Sequence, residues 1–124
     1  MDIFEFYKTS GIDLKEHNGS QFYALRPDDA FVLLDLLDQD HVTLHSIDVM
    51  CKNENGQYDY LRESGKSVNW DLDSEGIASE QRYEVVKQKI EALNTIADKD
   101  NLAFLFSDEK SYKAWKKNHQ KWSA

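Results

Sequence analysis

The chain has 124 residues and a formal net charge of −8, with 40% apolar and 12% aromatic residues. That fits one domain, 1–124, with a core anchored by aromatics, and no apolar run is long enough for a transmembrane helix. The acids are concentrated, 12 against 3 bases between Pro27 and Ala78, which disfavours nucleic acid as a partner because phosphates would be repelled.

From Asp108 to Ala124 the balance reverses, with 2 acids against 5 bases. The acidic block suits a basic partner, or solubility alone. The start, MDIFEFYK, has acids where a secretory signal needs bases, so no such signal is expected. A single Cys51 cannot make an intrachain disulfide, and a reducing cytoplasm is the simplest expectation. Cys51 itself is expected to pack as a small buried residue.

In chain order, residues 2–10 predict a short helix stopped at Gly11, with a spacing that would also suit a strand. Residues 11–20 read as a polar connection, and 21–25, QFYAL, as a short apolar piece of unassigned type. Pro27 then opens a helix at the position where its missing N–H costs nothing. Asp28 and Asp29 suit the helix dipole there. Phe31, Leu34 and Leu37 form its apolar stripe, with Ala30 and Leu33 beside it and Asp35 and Asp38 outside.

Residues 41–52, HVTLHSIDVMCK, predict the main strand, ended by Asn53-Glu54-Asn55-Gly56. Val42 and Leu44 share one side, whereas Ile47, Val49 and Cys51 share the other. The strand is therefore central with both faces covered, or bulged near His45-Ser46. Residues 57–61, QYDYL, predict the returning strand of a hairpin, with Tyr58 and Tyr60 on one face and Asp59 on the other. RESGKS reads as a loop and Val68-Asn69-Trp70 as a third short strand.

Ser79 is the expected N-cap of a long helix reaching Ala97. Its stripe is Tyr83, Val86, Ile90, Leu93 and Ala97, with Val85 and Ile96 beside it. Glu84–Gln88 and Lys87–Glu91 are the pairs expected on its solvent side. Asp98 to Asn101 reads as a turn and 102–106, LAFLF, as a buried strand. Ser107 or Asp108 caps a last helix to about Trp122, with Tyr112, Trp115, His119 and Trp122 on its apolar side. The expected fold is α+β, a mostly antiparallel sheet of three to four strands packed with four helices in a single layered domain.

Several constellations touch chemistry. Asp71-Leu72-Asp73-Ser74-Glu75-Gly76 matches the first half of a calcium loop, but Arg82 stands where the bidentate acid belongs. His41 and His45 on one strand would stand roughly 13 Å apart, too far to share a metal. His17 and His119 show no partner in sequence. There is no nucleophile elbow, phosphate loop or Cys–His neighbour pair. No catalytic residue, cofactor or metal is expected. YKAWKKN at 112–118 mixes lysines with aromatics, and it reads as a core-facing stripe with a lysine-coated surface rather than a nucleic-acid patch. Asp48, between Ile47 and Val49, is expected either at a sheet opening or buried with donors, since an unpaired buried charge is costly.

A helix, a strand ending Ser46-Ile47-Asp48-Val49-Met50, a tyrosine hairpin and then Asn69-Trp70 resemble a family of small α+β immunity proteins. These belong to bacterial polymorphic-toxin and contact-dependent inhibition systems. The family's strand reads close to Gly-Gly-Asp-Val-Tyr and an Asn-Trp pair follows. Here Ser46-Ile47 replaces the glycines and Met50 the tyrosine. The similarity spans roughly Tyr23 to Trp70. It implies a cytoplasmic antidote that binds one cognate toxin domain, often a nuclease, and blocks its active site without chemistry.

An acidic surface with exposed aromatics suits that role. The expected interface is Glu54, Tyr58, Asp59, Tyr60, Glu63, Trp70, Asp71, Asp73 and Glu75, joined by Asp35 and Asp38. Asp48 is either structural or partner-facing. The alternatives are an interaction or regulatory domain with an ordinary cellular partner, and a small enzyme with a scattered site.

Overall fold

A computed structural model describes residues 2–19, 22–95 and 97–120, the last six of these by backbone alone. The expected contribution of Ile96, and of the Trp115, His119 and Trp122 side chains, lies outside the described residues.

Helix α1 is Ile3–Ser10, capped by Asp2 accepting from the Phe4 N–H and ended at Gly11. Gly11 has an ordinary φ of −79°. Glycine is needed there because a Cβ would strike the Tyr7 carbonyl oxygen and come within 2.9 Å of Tyr23 Cβ. The connection that follows is more structured than its polarity implied. Strand β1, Ile12–Asp13, pairs with β2, Tyr23–Ala24, around a 3-10 turn at Leu14–Glu16. Helix α2 is Pro27–Gln39 and buries Ala30, Leu33, Leu34 and Leu37, as its stripe predicts.

Strand β3, Leu44–Lys52, is the centre of the sheet. It begins three residues later than expected, because His41 adopts a left-handed φ of 54° as the chain leaves α2. Along one edge β3 pairs antiparallel with β8, Leu102–Asp108. Its other edge is shared by two short strands. β4, Tyr58–Tyr60, takes the second half and β7, Asn69–Asp71, takes the first. Between them Leu61 N–H donates to the Val49 carbonyl and Val49 N–H to the Val68 carbonyl. Thus β4 and β7 are two pieces of one edge, and the chain steps out between them.

The step is a small hairpin, β5 (Arg62–Glu63) and β6 (Lys66–Ser67). Sequence read this stretch as a loop. Ser64 (φ 52°) and Gly65 (φ 80°) supply the left-handed two-residue turn that tight hairpins require. All six residues, 62–67, are exposed.

The pairing of β3 with β8 slips between Leu44 and Ser46, leaving His45 as the extra residue of a β-bulge. This explains the change of apolar side in the strand. The bulge turns Leu44 onto the same side as Ile47 and Val49, and all three join one core with α1, α2, β8 and the helix at Arg82–Asn94.

Helix α3 is Arg82–Asn94, preceded by a 3-10 turn at Ser79–Gln81. It is shorter than expected, and Ser79 makes no capping bond. Tyr83, Val86 and Ile90 are buried. Lys87 does not serve Glu91 but reaches across to Asp35 on α2, at 2.5 Å. Helix α4, Glu109–Gln120, starts where Asp108 Oδ1 accepts the Ser111 N–H. Asp108 is fully buried, and its other oxygen accepts from Ser111 Oγ and from Tyr7 Oη. Burial and that carboxylate hold the Tyr7 phenol well above its ordinary pKa.

The α+β expectation holds, with a mostly antiparallel four-stranded sheet and four helices. No helix among the described residues is long and apolar enough to cross a membrane. The two sheet faces differ. One is covered by α1, α2 and α3. Among the described residues, the other is covered at one end, where Leu14 and Ala24 pack on Met50, Tyr58 and Ala103 with Tyr60 and Leu105 at the edge.

Candidate functional site

The uncovered half of that second face follows from the register. Ser46 lies opposite Asp71 and Ser107, Asp48 opposite Asn69 and Leu105, and Met50 opposite Tyr60. Because side chains alternate along a strand, these residues share one side. Asn69, Asp71 and Ser107 are exposed, and Ser46, Asp48, Tyr60 and Leu105 half-buried. Among the described residues, the register puts two carboxylates and no basic side chain on this half.

At its centre Asn69 Nδ2 donates to Asp48 Oδ1 at 2.7 Å. The Asp-Val and Asn-Trp motifs of the sequence are therefore one cross-strand unit, with Asp48 paired to Asn69 and Ile47 to Trp70. Asp48 sits at a sheet opening, with an amide donor. Partial burial raises the Tyr60 phenol pKa, and the Asp48 and Asp59 charges add to it.

The expected interface residues do not form one surface. Tyr60, Asp71 and Asp48 share the open face. Asp35 and Asp38 are exposed on α2, in the helical layer. Glu54 and Asp59 are exposed on the β3–β4 hairpin and Glu63 on the excursion hairpin. Asp73 and Glu75 are exposed in the turn after β7.

The two aromatic hot spots need correction. Tyr58 is only 1% exposed. Its face is the covered end of the sheet, and its N–H donates to His17 Nδ1 at 3.0 Å. Its hydroxyl has no partner among the described residues. Removing such a group is neutral or favourable. Tyr58→Phe is expected to leave the urea unfolding midpoint unchanged or to raise stability by up to about 1 kcal/mol. Trp70 is half-buried on the helical face, its ring 5.8 Å from that of Phe104 and capped by Lys89 Nζ at 5.7 Å. Cys51 is half-buried rather than buried.

A second cluster gathers at the bulge. Bulges re-aim side chains, and His45 is aimed between two carboxylates. Its Nδ1 lies 2.9 Å from Asp73 Oδ2 and its Nε2 2.5 Å from Glu109 Oε2. Arg82 Nη1 donates to Asp73 Oδ1 at 2.5 Å and to the Leu44 carbonyl at 2.9 Å, and its Nε donates to the Ile77 carbonyl at 2.7 Å. The half calcium loop is thus closed by its own twelfth residue: the cation beside Asp73 is the Arg82 guanidinium. Asp71 accepts from the Ser74 hydroxyl and N–H instead, which lowers its pKa. Among the described residues no three His, Cys, Asp or Glu side chains are placed to hold a metal ion.

Desolvation pulls the His45 pKa down, but hydrogen bonds to Glu109 and Asp73 and their charges outweigh it and raise it overall. Asp73 is held below its ordinary value, first by Arg82 and then by His45. Glu109 is lowered mainly by its hydrogen bond to His45, with Lys113 3.5 Å away adding to it. Both ring nitrogens are occupied, so the imidazole presents no free base here. Sequence reasoning missed this cluster. The one available signal was Arg82 at the position of the missing acid.

Comparison with protein-family models, curated proteins and solved structures gave no significant match.

Proposed function

We propose that this chain is an immunity protein, a non-catalytic antidote that binds one cognate, basic, nuclease-type bacterial toxin domain and covers its active site in the cytoplasm. The observation that carries this reading is the open half of the sheet, where Asp48, Asp71, Asn69 and Tyr60 stand together with no cation among them. A strand-built acidic face with an aromatic at its margin matches a basic groove in charge and in flatness, and electrostatic steering would speed the encounter. The meeting of Asp48 with Asn69 also makes one unit of the residues behind the family resemblance.

The test is capture from the native host, with the tagged full chain as bait and a low-salt wash. The expected result is one large protein bound through a C-terminal domain that is toxic when expressed alone. Recovery of nothing, or of housekeeping enzymes, overturns the reading and favours an ordinary interaction domain. With the partner in hand, the double variant Asp48→Lys/Asp71→Lys is expected to lower the association rate roughly tenfold at low salt and to flatten its salt dependence. Glu54→Lys, at the far hairpin, is expected to change it little. Equal effects would place the interface elsewhere.

A further inference from the structure

The His45 cluster has a property that its carboxylates impose. A carboxylate only accepts hydrogen bonds, and a neutral imidazole has one N–H and one lone pair. His45 faces a carboxylate at each nitrogen, Asp73 at Nδ1 and Glu109 at Nε2. Only the imidazolium can donate to both. The two carboxylates belong to different elements, the turn after β7 and the first residue of α4, so the ring bridges them across the bulge in β3. We propose that His45 is a proton-operated clasp: charged, it ties the Glu109 carboxylate at the start of α4 to the turn at 72–76, and neutral, it lets that carboxylate go.

The side that opens is set by the surroundings. Asp73 is fixed by Arg82 on α3, which also grips the Leu44 and Ile77 carbonyls. Besides His45, the Glu109 carboxylate has, among the described residues, only Lys113, 3.5 Å away and 74% exposed, while its N–H donates to the Thr43 carbonyl. His41 and Lys110 line the same shallow hollow beside Glu109, and the Asp71 carboxylate feels the charge of Asp73. Loss of the proton therefore leaves the Nδ1–H bond to Asp73 in place and turns the Nε2 lone pair toward Glu109, which swings out. Asp108, facing Tyr7 and Ser111 on the other side, keeps the helix cap through the change.

The direction with pH follows from the shifts. The His45 value lies above its ordinary value, so the clasp is complete below about pH 6.5 and is lost as pH rises through the raised value. Asp73 and Glu109 lie below theirs, so on the acid side the clasp is intact above about pH 4 and fails as pH falls through their lowered values.

The experiment is nitrogen-15 NMR of the His45 ring and carbon-13 NMR of the Glu109 carboxyl in the full chain between pH 5 and 9, with hydrogen exchange of the Glu109 amide, which donates to the Thr43 carbonyl at 2.8 Å. The expected result is a raised His45 titration, an Nδ1–H tautomer at high pH, and a fall in the protection of the Glu109 amide, after correction for the intrinsic rate, as the ring loses its proton. Glu109→Gln gives Nε2 an amide donor, so its neutral ring is satisfied and the exchange change disappears. His45→Gln removes the titration while keeping a polar side chain. Titration at or below the ordinary histidine value overturns the clasp, as does an unchanged pH response in Glu109→Gln. An Nε2–H tautomer at high pH overturns the assignment of the side that opens.

Discussion

Arg82→Met is expected to cost about 3 kcal/mol of stability, read as a shift in the urea midpoint, or roughly 10 °C in Tm. The side chain is 8% exposed overall and donates to two carbonyls, of Leu44 and Ile77, besides Asp73. Methionine fills the volume but donates nothing, and an unsatisfied buried acceptor costs about 1–3 kcal/mol. The ion pair adds little, because Asp73 is 51% exposed and screened. Asp73→Asn, which removes that charge and keeps both carbonyl bonds, is therefore expected to cost less than about 1 kcal/mol. If the two variants were equally damaging, the ion pair and not the carbonyl bonds would carry the stability.

Asp108→Ala is the second large effect, also about 3 kcal/mol. The carboxylate is fully buried and has three donors, the Ser111 N–H, the Ser111 hydroxyl and the Tyr7 hydroxyl. Loss of the cap costs about 1 kcal/mol, and the orphaned Tyr7 hydroxyl adds about 1–3. Asp108→Asn keeps an accepting oxygen and the shape, so it is expected to lose about half as much. The double variant Asp108→Ala/Tyr7→Phe is expected to recover part of the loss, since it removes the orphan as well. Failure to recover would mean that α4 capping alone sets the cost.

Both residues show where sequence was informative and where it was not. Local signals were reliable when the deciding physics was local. Pro27 opened α2, Gly11 ended α1, Asp108 capped α4, and the apolar run 102–106 became a buried strand. The alternation in 41–52 also pointed to the bulge, because a strand whose apolar side changes must be covered on both faces or gain a residue. What local signals could not supply was the partner of each side chain. Tyr58 looked like a surface aromatic until Leu14, His17 and Ala24 folded over it. Trp70 looked exposed until Phe104 and Lys89 enclosed it. His45 read as a lone strand histidine because Asp73 and Glu109 reach it only in the fold. Ser64-Gly65 made a hairpin without alternating apolar flanks, so the usual strand signal was missing. The grouping of the acidic residues was half legible: Asp71, Asp48 and Tyr60 share a face, while Asp35, Asp38 and Glu54 were scattered by the same topology.

The order of strands carries a consequence for how the molecule comes into being. β3 meets β4 and β7 through short connections, so its hairpin side can zip as soon as residue 71 has been made. Its other edge waits for β8, which is synthesised only after the whole of α3. Until then Ile47 and Val49 lack Phe104 and Phe106, and α2 has half a floor to rest on. Long-range antiparallel closure of this kind is the slow step of a folding reaction, and it leaves an open strand edge on the nascent chain. The sheet therefore cannot finish until residues through Asp108 have left the ribosome, and a chain truncated before Leu102 is expected to remain a hairpin with loosely attached helices.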